Sequence, residues 1–182
     1  MRFFYDKIGK PASTSESEKK GVFNKESRLV RSVNKEKVSD IKSFDYKPHR
    51  VEKAIAEKIE GKILYPRRKD ISLNALARAK YQCEIKCDHK LFERACNHLP
   101  YTEPHHLIPM SAQKDFDWSL DVEANIVSLC SSCHNQIHYG KDAKELIKRL
   151  WEDRKEELKE SGIEITLKKL IHYYKNLKED DE

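Results

Sequence analysis

The chain has no run of apolar residues long enough to span a bilayer, so it offers no candidate transmembrane helix. Apolar residues make up only 38% of it, and charged residues nearly match them at 37%. That balance excludes one large core. It predicts a small core carrying exposed helices and a flexible N-terminal arm. No internal repeat marks a solenoid. The opening Met1-Arg2-Phe3-Phe4-Tyr5-Asp6 is too short and too soon charged to read as a secretory signal. A cytoplasmic location with no membrane partner is therefore expected, and thiols there stay reduced. The cysteines number five. An odd count argues against a full disulfide framework and points to metal.

With 182 residues there is room for one modest domain plus extensions. The net charge of +5, with a pI of about 8.8, mildly favours a polyanionic partner. The acidic end Glu179-Asp180-Asp181-Glu182 hides a more basic body. Residues 9–28, centred on Ser13-Thr14-Ser15-Glu16-Ser17-Glu18, read as a flexible linker. Val51, Ile55 and Ile59 recur at helical spacing, with Gly61 as a stop. Lys62 to Tyr65 reads as a short strand, and Pro66 opens the basic run Arg67-Arg68-Lys69. Ser72 is a good N-cap for a helix turning Leu73, Leu76 and Ala77 inward. A loop or ragged hairpin fills 84–101. Strands are expected from Thr102 to Ile108 and from Ile126 to Leu129, joined by a polar and aromatic connection holding Phe116 and Trp118. A helix should start near Ser131 and break near Gly140. Ala143, Leu146, Ile147, Leu150 and Trp151 form the stripe of the next one, which Gly162 ends. Thr166 caps a last helix with Leu167, Leu170, Ile171 and Tyr174 on one face.

Two fragments carry chemistry. The first is Glu103-Pro104-His105-His106-Leu107-Ile108-Pro109, with adjacent histidines on an extended apolar stretch. The second runs from Asn125 through a short strand into Cys130-Ser131-Ser132-Cys133-His134 and on to His138. On a helix, His134 and His138 project from the same side. Neutral imidazoles can hold a divalent cation, and a free one can take a proton near neutral pH. Neighbours on a strand face opposite ways, so His105 and His106 divide the labour more naturally than they share one ion.

In these two fragments the chain resembles the HNH, or ββα-metal, endonucleases. It looks most like the bacterial restriction-type members related to the McrA enzymes. In its two histidine pairs it is also similar to the nuclease colicins. The resemblance covers about residues 66–151 and implies an α+β fold: a ββα-metal core with a structural zinc site, surrounded by helices. The flanks would be an N-terminal arm over 1–65 and a helical extension over 152–182. The resemblance further implies that His105, His134 and His138 bind the catalytic metal and that His106 is the general base. Asn125 would hold the base-bearing loop, and Glu103 would stand behind a ligand. Magnesium or manganese is the implied working metal, with nickel or zinc as other occupants. The implied reaction is hydrolysis of DNA phosphodiester bonds to 5′-phosphate and 3′-hydroxyl ends, in restriction or anti-phage defence. A homodimer or a partner subunit of a defence system is compatible with that role.

The cysteines suggest a second centre. Cys130 and Cys133 have zinc-knuckle spacing, and Cys83 lies upstream where a partner should be. The fourth ligand stays open between Cys87, one residue wider than the usual knuckle, and His89, which the family resemblance favours slightly. Cys96 and His98 read as loop residues. Arg67, Arg68 and Lys69 are candidates for phosphate contact, as are Lys114 and Lys141. Two other functions fit the same residues: a non-catalytic zinc-bearing nucleic-acid-binding module, and a toxin-like nuclease without sequence preference.

Overall fold

The computed structural model describes Ser32, residues 46–59 and residues 61–174. The linker expected over 9–28 and the acidic end at 179–182 lie outside the described residues. Residues 46–56 are irregular and drape over the core. Val51 accepts a backbone hydrogen bond from Ser119 at 2.8 Å, and Lys53 Nζ donates to the Phe116 carbonyl at 2.6 Å.

The helix expected from Val51, Ile55 and Ile59 is absent. Strand β1, Glu57–Ile59, pairs antiparallel with β2, Lys62–Leu64. Gly61 holds a left-handed φ of 78° at the turn, a conformation favouring glycine. Ile55 is 91% exposed and so belongs to no buried stripe.

Helix α1, Lys69–Arg78, begins three residues before the expected Ser72 cap. Its N-cap position is Arg68, whose backbone N–H donates to Asp121 Oδ2 at 2.6 Å. That tertiary contact fixes the chain's entry, and Ser72 is buried within the first turns. Ile71, Ala75 and Leu76 are the apolar residues α1 buries.

Strand β3, Glu103–His106, pairs antiparallel with β4, Ile126–Leu129, in the register Glu103–Leu129 and His105–Val127. Ile126 packs on Ile71 and Ala75 of α1. Val127 and Leu129 belong instead to the main core with Ile137, Ile147 and Leu150. The small sheet is thus covered by different helices at different positions. Between the strands run two 3₁₀ turns, Met110–Asp115 and Glu123–Asn125.

Helix α2, Ser131–Tyr139, follows β4 directly. Helix α3, Ala143–Glu160, closes the core with Ile147, Leu150 and Leu158, and runs without interruption through residue 151. Gly162 then turns with φ 77°; a Cβ there would come within 2.6 Å of Trp118. Trp118 and the buried Phe116 are thus packing residues. Helix α4, Leu167–His172, is capped by the Thr166 hydroxyl, which accepts from the Lys169 N–H at 3.3 Å.

An ionic network ties these layers together. Arg154, buried on α3, donates to Glu157 at 2.9 Å and pairs with Glu84 of the loop after α1. Glu157 also pairs with Arg78. Among the described residues, no helix is long and apolar enough to cross a membrane.

Candidate metal centres and the residues around them

Alternation along β3 sorts its side chains. Glu103 and His105 face α2, whereas His106 faces the other way. On the α2 side, nitrogens of His105, His134 and His138 lie within 4.8 Å of one another. The His105 ring centroid is 5.0 Å from each of the other two. One turn apart on α2, His134 and His138 bring their Nε2 atoms to 3.2 Å. Three imidazoles converging nitrogen to nitrogen form a donor set that suits a divalent cation.

Glu103 stands behind this set. Its carboxylate engages His134 Nδ1 and accepts from the Ser131 hydroxyl at 3.1 Å. A carboxylate at Nδ1 directs the lone pair of Nε2 toward the other histidines. Burial pushes the Glu103 carboxyl up, but the His134 imidazole and the Tyr101 and Ser131 donors outweigh it and hold the group below its usual range.

On the opposite face, His106 Nε2 meets Asp121 Oδ1 at 2.8 Å, and the two side chains are only 5% and 6% exposed. An ionised carboxylate accepts only, so Nε2 carries the proton and Nδ1 keeps the lone pair. Asp121 is itself fixed by the Arg68 N–H and by its own N–H, which donates to Ser119 Oγ at 3.1 Å. Sequence reasoning missed Asp121, one of several acids between Asp115 and Glu123 with no periodicity to single it out.

Asn125 is fully buried. Its Oδ1 accepts from the Ile108 N–H at 2.7 Å. Its Nδ2 donates to the carbonyls of Ile108 and Leu120 at 3.0 and 2.8 Å. Its backbone carbonyl accepts from the Leu107 N–H at 2.8 Å. Asn125 thus clamps the chain just after His106 to the loop carrying Asp121.

A second cluster lies at the far end of β4. The sulfurs of Cys83, Cys87, Cys130 and Cys133 lie within 4.8 Å of one another, a donor set of the structural-zinc kind. The slight lean toward His89 gives way here to Cys87, whose sulfur is 3.7 Å from that of Cys130. Lys86 adopts a left-handed φ of 52°, and its N–H bonds the Cys83 carbonyl at 2.9 Å. This turn absorbs the extra residue of the wide knuckle. His89 is exposed and reaches the cluster from outside, with Nδ1 3.3 Å from Cys130 Sγ and 3.6 Å from Cys133 Sγ. Burial pushes Cys83 up to about 11. At Cys87 burial acts the same way, but the His89 N–H and the neighbouring thiols overcome it and bring the group down to about 7. Cys130 is also the N-cap of α2, its sulfur accepting from the Cys133 N–H at 3.4 Å. Cys96 and His98 belong to neither cluster.

The basic run sits at the start of α1. Arg68 spends its guanidinium on Asp70, which raises its already high pKa. Its backbone contact with Asp121 places the run beside the His106 face. Lys114 and Lys141 are exposed.

Two antiparallel strands leading into a helix, with histidines converging from the first strand and the helix, define a ββα-metal domain of the HNH class. Over 52 residues, 29% of its length, the chain is 46% identical to the type IV methyl-directed restriction enzyme EcoKMcrA of Escherichia coli strain K12. Over those residues the domain is McrA-like. Among solved structures, the type IV phosphorothioation-dependent restriction endonuclease ScoMcrA matches over 53% of this chain, with 24% identity and a TM-score of 0.42. The chain spans 17% of the length of the first relative and 18% of the second. No family model matches the chain.

Proposed function

We propose that this protein is a metal-dependent endonuclease that hydrolyses DNA phosphodiester bonds in a restriction or anti-phage role. The observation that carries the reading is the division of β3: His105 joins the triad with His134 and His138, while its neighbour His106 is held by Asp121. A divalent cation of the magnesium or manganese type on the triad supplies charge relief at the scissile phosphate and stabilises the leaving oxygen.

The chain's own residues do the rest. His106 takes a proton from the attacking water at Nδ1, the nitrogen that Asp121 leaves basic. Asp121 holds the ring and stabilises the imidazolium that results. Asn125 keeps the His106 segment and the Asp121 loop in register. Glu103 orients His134 toward the ion. The Cys83, Cys87, Cys130 and Cys133 site holds zinc as a structural element and fastens the start of α2. Arg67, Arg68 and Lys69 are the candidates for contact with the DNA backbone, a reading supported by the bond from the Arg68 N–H to Asp121. The restriction role rests on the likeness to the E. coli enzyme.

Cleavage of methylated and unmethylated DNA across several divalent metals, by wild type and by His106→Ala, tests the proposal. The variant should lose roughly 10²–10⁴-fold or more in rate while keeping its fold and its metal. Near-normal turnover by His106→Ala would sink the assignment.

A further inference from the structure

One side chain at the three-histidine site comes from neither the strands nor α2. Tyr174 lies just beyond α4, and it is only 4% exposed. Its hydroxyl donates to the Leu107 carbonyl at 2.7 Å and lies 3.1 Å from His105 Nε2. The two interactions are not equivalent. A carbonyl oxygen only accepts, and a phenol has one proton to give. That proton is committed to Leu107, so toward His105 the hydroxyl can act only as an acceptor. Nε2 of His105 must then carry the hydrogen, and the lone pair falls on Nδ1, which is itself buried.

The phenol is held firmly. Leu170 of α4 is fully buried, and Trp151 Nε1 donates to the Ile165 carbonyl at 3.2 Å just before that helix. The neighbouring Tyr173 hydroxyl donates to Asp115 at 3.0 Å, on the far side of the connection after β3. Two tyrosines thus pin the end of α4 across the loop that follows the histidine pair.

From this geometry we infer that Tyr174 is a positioning residue of the metal site: it fixes the tautomer of His105 so that Nδ1, not Nε2, faces the ion. It does for His105 what Glu103 does for His134, with a neutral acceptor in place of a charged one. The strand and the C-terminal helix are thereby joined at the ligand itself. The inference rests on the proposed reading of His105, His134 and His138 as a metal site. It needs neither DNA nor turnover to be tested.

The test uses the full-length protein with its cysteine site loaded with zinc. Manganese(II) alone is the probe, and free ion is followed by electron paramagnetic resonance. Long-range proton–nitrogen NMR of the imidazoles, taken without manganese at mildly alkaline pH, reads the tautomers. Wild type should show His105 as the Nε2–H form. Tyr174→Phe, which keeps the ring and its packing, should lose that preference and weaken manganese binding by about 10–100-fold. His105→Ala serves as the reference for loss of the site. If His105→Ala binds manganese as tightly as wild type, the metal-site reading fails and this inference falls with it. If His105→Ala loses binding but Tyr174→Phe does not, or if wild-type His105 carries its proton on Nδ1, the role of Tyr174 alone is refuted.

Discussion

Replacing Asn125 with alanine should damage the fold and the candidate site together, by an amount the structure allows to be worked out. Three side-chain hydrogen bonds disappear. Their partners, the N–H and carbonyl of Ile108 and the carbonyl of Leu120, belong to buried residues. Each missing bond costs about 1 kcal/mol net, and more where the abandoned group stays dry. The total is about 3 kcal/mol, and for a domain of this size about 3 °C in melting temperature follows each kcal/mol. By that scaling, Asn125→Ala should melt about 9 °C below wild type. Asn125→Asp should be worse. One carboxylate oxygen still accepts from the Ile108 N–H, but the other, in place of Nδ2, is set against the carbonyls of Ile108 and Leu120, and a charge is buried. Calorimetry of both variants at neutral pH checks the order and the size. A shift of under about 2 °C for Asn125→Ala, or an aspartate variant more stable than the alanine one, would refute the clamp.

Three other outcomes follow from the same structure. Cys133→Ser should lose one zinc per chain by elemental analysis and a large part of the melting transition, because binding and folding are coupled at such sites; unchanged zinc and melting temperature would contradict a structural role. Neutralising Arg67, Arg68 and Lys69 together in a His106→Ala background should weaken DNA binding alike for all sequences. It should flatten log affinity against log salt by about 0.9 for each phosphate left without its cation, and an unchanged slope would remove the run from the interface. Glu157 is depressed below the ordinary glutamate value because pairing with Arg78 and Arg154 outweighs its burial. Its stabilisation is therefore present above that ordinary value and disappears as pH falls through the lower, folded-state one. Glu157→Gln should be about 1–3 kcal/mol less stable at neutral pH, with the gap closing in acid. A gap independent of pH would show that the charge contributes nothing.

The division of the histidine pair, the Cys-x-x-Cys spacing and the alignment of the second histidine pair were legible in the sequence because each is fixed by local geometry, whereas Asn125 was picked out by the family resemblance and binds Ile108, 17 residues away. Strand alternation separates His105 from His106, and the helical turn aligns His134 with His138. The boundaries of β4 and α2 followed from the same patterns, whereas β3, Glu103–His106, is shorter than the expected Thr102 to Ile108. What failed depended on distant partners. Val51, Ile55 and Ile59 have helical spacing, yet this segment has only an edge of the core to rest on and becomes coil and hairpin. Ser72 is a better N-cap by type than Arg68, but the Asp121 carboxylate settles where α1 begins. Asp121 and Tyr174 act on histidines 15 and 69 residues away, and no pattern near either residue announces this. Tyr174 was readable only as part of an apolar face.

Cys130 closes β4, caps α2 and contributes a sulfur to the four-cysteine cluster. The helix it caps has only nine residues, too few to persist alone in water. His134 and His138 are therefore presented by a helix that relies on its packing against the core, through Ile137, and on the cysteine cluster at its start. Thermodynamic linkage makes such a dependence mutual. Whatever factor a filled cysteine site adds to the affinity of the histidines for their ion, a filled histidine site returns to the cysteines. On the proposed reading of the two clusters, removing zinc from the cysteines would also weaken the hold of the histidines on their ion.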